Sequence, residues 1–358
     1  MLKDANSLKE LESTAANAMR EALKPVSSIE IERLEVSPRG FDGGIDVLVK
    51  VSVGGHEHLL ACEVKSSGQP RYLRNAILQL REYITNRENI SPVFIAPYLS
   101  ADAQRLCKES EINFLDLEGN CLLQFDNVYI ERQIGHRSAA EKRALRSIFK
   151  PKAAAILRVM MREPDRAWRV ADLAFRADAS LGQVSNVRNA LLDREWAKSE
   201  LEGLRLTNTV ELINAWREEY EQPKHQEHLY TSMHGQRLDG AIRQSFEELN
   251  TRGKIVLGSF SAARWLAPHL KIANDFFYVD EDGRQILKRN LELKPASQGG
   301  NVTLVRPKDE GIFQDTTSPV PGLFCTSPIQ TYLDLWVSGE RGREAADHLR
   351  RELLVWQK

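Results

Sequence analysis

The sequence predicts a mixed α/β (α+β) protein of three domains, and three patterns carry that expectation. Residues 41–67 alternate apolar and polar side chains on either side of Gly54-Gly55, as a half-buried β-hairpin does. Residues 151–221 read as three short helices followed by a small hairpin, and residues 237–358 mix helical and strand-like runs. A chain of 358 residues exceeds the usual single core. The predicted boundaries are an α/β domain over 1–135, a helix-and-hairpin domain over 151–221 and an α/β domain over 237–358.

Residues 7–24 place Leu8, Leu11, Ala15, Ala18 or Met19, and Ala22 at helical spacing, and Pro25 ends the pattern. After the hairpin come a helix over 71–88, a buried strand over 91–97, a capped helix over 100–111 and a strand pair over 112–125 turning near Gly119-Asn120. The middle segment opens a helix at Pro151, places a second at 169–177, and a third at 180–196 with Ser180 as N-cap. A hairpin around Glu202-Gly203 and a helix at 209–221 follow. The polar stretch 222–236 reads as a linker. Beyond it are a helix at 239–252, a strand at 254–258 and closing helices near 328–337 and 342–355.

Hydrophobic residues make 42% of the chain and charged residues 28%, a soluble globular balance that argues against disorder and fibre. No run approaches the roughly 18 apolar residues of a spanning helix, so no membrane partner is expected and the cytoplasm is the expected location. Cys62, Cys107, Cys121 and Cys325 form no C-x-x-C pair, so reduced, buried thiols are expected and a structural zinc is not. His225, His228 and His234 are spaced too loosely for ligands and are expected to face solvent. Trp265, Trp336 and Trp356 are expected in the core. The net charge of −1 gives no overall bias toward nucleic acid. Between Arg132 and Arg176, however, basic residues including Lys152 and Arg169 outnumber acidic ones, and such a stripe can neutralise phosphates. The other reading of the stripe is a solvated helical face with i,i+4 pairs.

A two-residue turn at Gly54-Gly55 makes cross-strand partners sum to 109, so that Val53 faces His56, Val49 faces Leu60 and Asp46 faces Glu63. One face is then Ile45, Val47, Val49, Val51 and Val53 with Leu60, Cys62 and Val64. Asp46, Glu63 and Lys65 share the other face. The 46/63 pair falls at a non-hydrogen-bonded position, where opposing Cα atoms approach to roughly 4.5 Å. Two carboxylates at that distance repel, so a cation belongs between them: Lys65, a hard divalent ion, or both. The plainer reading is an exposed face on which Glu63 pairs with Lys65 or Lys50.

Asp46, a gap of sixteen residues, and then Glu63-Val64-Lys65 resemble the signature of PD-(D/E)XK nucleases, the restriction-endonuclease-like fold. The likeness covers about residues 1–130; Gly44-Ile45-Asp46 stands at the first motif without the proline of the name. Gln79 and Tyr83 resemble the Q-x-x-x-Y helix motif of RecB-type members, whose upstream histidine is missing here. The resemblance implies metal-assisted phosphodiester hydrolysis. Asp46, Glu63 and the Val64 carbonyl would ligate Mg²⁺ (or Mn²⁺), with Glu12 as an outer ligand; Lys65 would orient water or neutralise charge, and Gln79 would orient Lys65 or a phosphate.

The middle segment has the pattern of a winged helix-turn-helix. In its third helix Leu181, Val184, Val187 and Leu191 make the inward stripe, while Gln183, Ser185, Asn186, Arg188 and Asn189 point elsewhere and include types that pair with base edges and phosphates. Lys152 and Arg169 add phosphate contacts. Glu195, Glu200 and Glu202 count against a DNA-tracking wing. The last segment resembles AbiEi-type antitoxin regulators of type IV toxin-antitoxin systems, most clearly over 255–268 and 326–353, which implies DNA binding, repression and a toxin partner. Gly258-Ser259 reads as a strand-to-helix turn, since Asp280 and Asp282 come too late for a nucleotidyltransferase.

Two readings stay open. One is a Mg²⁺-dependent DNA endonuclease guided by the winged helix, in prokaryotic defence or on a mobile element. The other is an AbiEi-like regulator or antitoxin on an inactive nuclease-like scaffold. DNA, a cognate toxin or defence protein, and a second copy of the chain are the expected partners.

Overall fold

The structure, a computed structural model, describes residues 2–38, 44–135, 137–221, 223–249, 254–269, 274–296, 299–308 and 310–356, with the backbone alone for 2–7. The start of the predicted hairpin (41–43) and the first residue of the predicted linker, Gln222, lie outside the described residues. The chain divides into two compact units, Met1–Arg143 with Leu191–Glu195, and Ala144–Ala190 with Trp196–Lys358. It is a mixed α/β protein.

The first unit runs α1 (Leu2–Leu23), β1 (Ile29–Val36), β2 (Val47–Val53), β3 (His56–Val64), α2 (Pro70–Ile84), β4 (Ile90–Ala96), α3 (Ala101–Glu109), β5 (Asn113–Asp116), β6 (Cys121–Phe125) and β7 (Val128–Arg132). Its seven strands lie side by side in chain order, with β3, β4 and β5 parallel and the other neighbours antiparallel. One sheet face packs Val47, Val49, Val51, Leu60 and Cys62 on Ala15 and Met19 of α1. The other packs Ala61 and Phe94 on Leu73, Ile77 and Leu80 of α2. Those three residues sit at i, i+4 and i+7, the stripe one helix face can bury, and truncating Leu73 to Ala would cost about 2–5 kcal/mol. Ser100 caps α3, its hydroxyl accepting from the Ala103 amide at 3.2 Å.

The hairpin register is the expected one: Val53 pairs with His56, Val49 with Leu60 and Val47 with Cys62. Gly54 and Gly55 have φ of +57° and +89°, which favours glycine at both turn positions. The pattern breaks one residue before β2. The Asp46 amide donates to Cys62 O at 3.1 Å, so Asp46 does not oppose Glu63 as a regular ladder pair. This irregularity swaps the faces, and Ile45 joins Ala61 and Leu73 instead of Val47, contrary to the alternation read from sequence. Strand β1 ("IEIERLEV"), which is not among the elements expected from sequence, shields the far edge of β2. Leu8, expected in the apolar stripe of α1, is 43% exposed.

Helix α4 (Ala139–Ile148) crosses the boundary between the units. The second unit continues with α5 (Pro151–Arg162), α6 (Val170–Arg176), α7 (Leu181–Asp193), β8 (Ala197–Ser199), β9 (Leu204–Leu206) and α8 (Thr209–Glu219). Ser180 and Gln183 form a reciprocal capping box: the Gln183 amide donates to Ser180 Oγ (3.2 Å) and the Ser180 amide to Gln183 Oε1 (2.9 Å). Val184, Val187 and Leu191 are buried as expected, but Leu181 is 59% exposed because it lies in the first turn, ahead of the packed face. Trp168 bridges to β9 as well, through two backbone bonds with Leu204 at 2.8 and 2.9 Å. A Cβ on Gly203 would meet Trp168 O at 2.3 Å, and its φ is +147°, so only glycine fits that approach.

The remaining elements are β10 (Gln226–Tyr230), α9 (Gly235–Glu248), β11 (Ile255–Leu257), α10 (Ser259–Leu266), β12 (Asp275–Val279), α11 (Glu281–Asn290), β13 (Lys294–Pro295), β14 (Val302–Val305), a 3₁₀ turn at Glu310–Phe313, β15 (Thr316–Val320), β16 (Leu323–Thr326), α12 (Pro328–Trp336) and α13 (Glu340–Leu353). Their sheet has the order β13-β10-β14-β12-β11-β16-β15. The stretch read as a linker therefore contributes β10, a strand paired on both sides. Gly258-Ser259 is the expected strand-to-helix turn, and Asp280 caps α11 through the Gly283 amide. All four cysteines are free and buried, and His225, His228 and His234 are exposed. Trp265, Trp336 and Trp356 are only half-buried; the core tryptophans are Trp168, Trp196 and Trp216, at 2%, 5% and 2% exposure.

Candidate functional site

The first unit gathers charge at one end of β3. Glu63 is 1% exposed and Glu12, on α1, 5%. Asp46 is half-buried, and its Oδ2 accepts the Val64 amide at 2.7 Å. Lys65 Nζ donates to Glu63 Oε1, with the lysine side chain 29% exposed toward solvent. Ser37, at the end of β1, links the group: its hydroxyl donates to Glu12 Oε2 (2.8 Å) and its amide to Asp46 O (2.7 Å). Burial pushes the carboxyl groups of both Asp46 and Glu63 above the usual range. The Val64 amide and Lys65 oppose that rise for Asp46; Lys65 opposes it for Glu63, to which Asp46 adds like-charge repulsion. Glu12 pushes both carboxyls further up.

The residue types at this end of the strand suit a hard cation. Glu63 Oε2 is buried and accepts no hydrogen bond, a state that costs free energy unless a cation or proton takes it up. Among the described residues, however, no group of three or more His, Cys, Asp or Glu side chains is gathered closely enough to hold a metal ion. Asp46 and Glu63 are the two carboxylates that meet at this end of β3, beside Val64, whose carbonyl the sequence reading expects as a further ligand. Glu12 turns its Oε2 to Ser37. Gln79 lies on the exposed side of α2 and makes no hydrogen bond to Lys65, whereas Tyr83 is buried under Arg87, whose guanidinium sits 4.1 Å from the ring centroid.

In the second unit the residues expected to meet DNA divide into two groups. Ser185, Asn186 and Asn189 are exposed on α7, and Arg169, the N-cap of α6, is exposed too. The others hold intramolecular partners. Gln183 is in the capping box, Arg188 Nη2 donates to Ser199 Oγ on β8 at 2.8 Å, and Lys152 Nζ donates to Asp178 O at 3.0 Å. Much of the basic stripe is likewise consumed. Arg146 pairs with Glu219 at 3.0 Å, Arg158 and Arg162 share Asp315, and Arg166 covers the Trp168 ring at 3.9 Å. Lys150, Arg169 and Arg176 make no ion pair among the described residues. Glu200 is paired with Lys198 (3.0 Å) and Arg205 (2.8 Å), which removes much of the repulsion it would present to phosphate.

Sequence reasoning missed a buried network in the second unit. Asp334 Oδ1 accepts from Tyr220 OH (2.6 Å), Tyr278 OH (2.8 Å) and Gln330 Nε2 (2.9 Å). Burial pushes its carboxyl up to about 6 against these donors. The available signal was one acidic residue inside the apolar run "PIQTYLDLW".

A family described as "Transcriptional regulator, AbiEi antitoxin, Type IV TA system" matches residues 205–355, short of half the chain. No curated protein matches. Two solved structures are similar over a limited stretch, EndoMS in apo form and an EndoMS–dsDNA2 complex. Identity is 20% in both, with TM-scores of 0.19 and 0.18; the match covers 28% of this chain and 45% and 43% of the EndoMS chains. This chain spans less than half the length of those structures. No helix is long and apolar enough to cross a membrane.

Proposed function

We propose that this chain is a DNA-binding transcriptional regulator of the AbiEi antitoxin type, acting in the cytoplasm with a cognate toxin as partner. The observation that carries the reading is the family match over 205–355, which begins in β9 and takes in the whole of the seven-stranded second sheet. In this reading α5, α6, α7 and the β8–β9 hairpin form a winged helix. Asn186 and Asn189 have the amide groups suited to adenine edges, Ser185 can serve base or phosphate, and Arg169 serves the phosphate backbone. Footprinting on DNA upstream of the chain's own gene tests it. A protected segment that disappears with Asn186→Ala/Asn189→Ala is expected; uniform, unprotected cleavage across that DNA would overturn the reading.

A second activity, metal-dependent phosphodiester hydrolysis in the first unit, is favoured by the unfilled Glu63 Oε2 beside Asp46. Asp46 and Glu63 would hold Mg²⁺ or Mn²⁺, and such an ion supplies phosphate polarisation and an acidified water. Lys65, its ammonium against Glu63 and its flank open to solvent, would neutralise charge on a phosphate entering from that side. Incubation of the full chain with plasmid and single-stranded DNA in Mg²⁺ or Mn²⁺ is expected to give nicking that Lys65→Ala abolishes. Intact DNA under every condition would leave the regulator alone.

A further inference from the structure

The second unit contains a cavity of about 410 Å³ whose lining is aromatic on one side and basic at its mouth. Phe149 and Trp216 form the aromatic side, stacked on each other with centroids 5.5 Å apart and planes within 8°. The inner end is polar and buried. Arg158 and Gln330, 2% and 3% exposed, are joined by a hydrogen bond of 3.3 Å, and Gln330 Nε2 also donates to Tyr220 OH at 2.7 Å. Around the mouth stand Lys150, Lys224, His225, Arg306 and Lys308, all exposed. The acidic lining residues are compensated: Glu219 is held by Arg146, and Glu221 lies 3.6 Å from Lys224. Arg306 reaches Glu281 at 3.3 Å, while Lys150 and Lys308 make no ion pair among the described residues.

We propose that this cavity binds a nucleotide, with the base against the Phe149–Trp216 side and the phosphates at the lysines and arginine of the mouth. The volume falls within the range of small-molecule sites, which pair an apolar lining with a few convergent polar groups. Unpaired cations at the mouth call for an anion, stacked aromatic rings call for a planar ring, and a nucleotide carries both. Helix α5 begins at the same mouth. Its N-cap Lys150 makes no side-chain cap, so the first-turn amides that follow Pro151, itself without an amide hydrogen, are left to favour negative charge. Because α5 precedes and α8 follows the helices and hairpin assigned to DNA, an occupant touching both would bear on that face. This last step alone rests on the regulator reading.

The test is calorimetric titration of the full chain with ATP, ADP, AMP and GTP, with adenosine and inorganic pyrophosphate as comparisons. EDTA is present throughout, so that the acidic cluster of the first unit contributes nothing through metal. At least one nucleotide is expected to bind saturably and at least tenfold more tightly than adenosine and pyrophosphate. Lys150→Ala/Lys308→Ala, two exposed positions, is expected to weaken that binding at least tenfold with an unchanged thermal midpoint. Absence of saturable binding below millimolar concentration, equal binding of pyrophosphate, or full affinity in the double variant would each overturn the proposal. Should a nucleotide bind while upstream DNA does not, the site stands and only the regulator reading fails.

Discussion

Glu63 in the first unit and Asp334 in the second are both buried carboxylates, 1% and 3% exposed, and burial raises the proton affinity of each. Their neighbours differ. Asp334 is met by two tyrosine hydroxyls and a glutamine amide, neutral donors that satisfy Oδ1 without adding charge. Glu63 has Asp46 and Glu12 raising its proton affinity further and a single lysine opposing them; the second oxygen of each carboxylate, Glu63 Oε2 and Asp334 Oδ2, is buried without a hydrogen bond, so the contrast lies in the neighbouring charges. A carboxylate ringed by neutral donors fixes a core. A carboxylate crowded by others stores unfavourable electrostatics that a cation can relieve.

The largest expected effect breaks the comparison on the first unit's side. Asp46→Asn or Lys65→Ala should reduce Mg²⁺-dependent cleavage by roughly 10²–10³-fold or more, with DNA affinity within twofold, read by nicking assays and gel shifts in parallel. Next is the pH response of the second unit. Burial raises the Asp334 carboxyl to a pKa of about 6 in the folded chain, above the usual carboxylate value of 3.8, so its stabilising contribution is full below pH 4 and is lost as pH rises through 6. Urea unfolding at pH 4 and 7.5 should show about 3 kcal/mol of this loss in the native chain and none in Asp334→Asn. An identical pH slope in the variant would show that the network is not the titrating element.

A cation should sharpen the contrast. Mn²⁺ at one hundred times its Kd should stabilise the first unit by about 2.7 kcal/mol, an effect absent in Glu63→Gln and retained in Asp334→Asn. Differential scanning calorimetry would resolve it, and equal stabilisation of Glu63→Gln would remove the metal from the account. The smallest effect belongs to α6: Arg169→Ala should lower the salt dependence of DNA binding by about one phosphate contact, read as the slope of log affinity against log salt.

The first unit was the more legible of the two. Its strands neighbour one another in chain order, so the Gly54-Gly55 turn fixed the register from local sequence and brought Asp46, Glu63 and Lys65 to one end of β3. Alternation alone could not show the irregularity at Asp46, which flips Ile45 to the α2 face, nor the link from Ser37 to Glu12 across 25 residues. The second sheet interleaves distant strands, with β10 between β13 and β14, so its first strand read as a polar linker. On α7, helical periodicity identified the buried Val184, Val187 and Leu191. It could not reveal that Gln183 caps the helix or that Arg188 is tied to Ser199, because those bonds depend on local geometry and on the neighbouring hairpin.

In the regulator reading the second unit contacts DNA, and the first unit's acids are dispensable for that contact. Fluorescence anisotropy with DNA from upstream of the chain's own gene, at about 0.15 M salt, tests it most directly. Asp46→Asn should bind like the native chain and at least 10³-fold more tightly than it binds unrelated DNA of equal length, while Asn186→Ala/Asn189→Ala should lose tenfold or more. Equal affinity for both DNAs, or a loss of binding confined to Asp46→Asn, would contradict it.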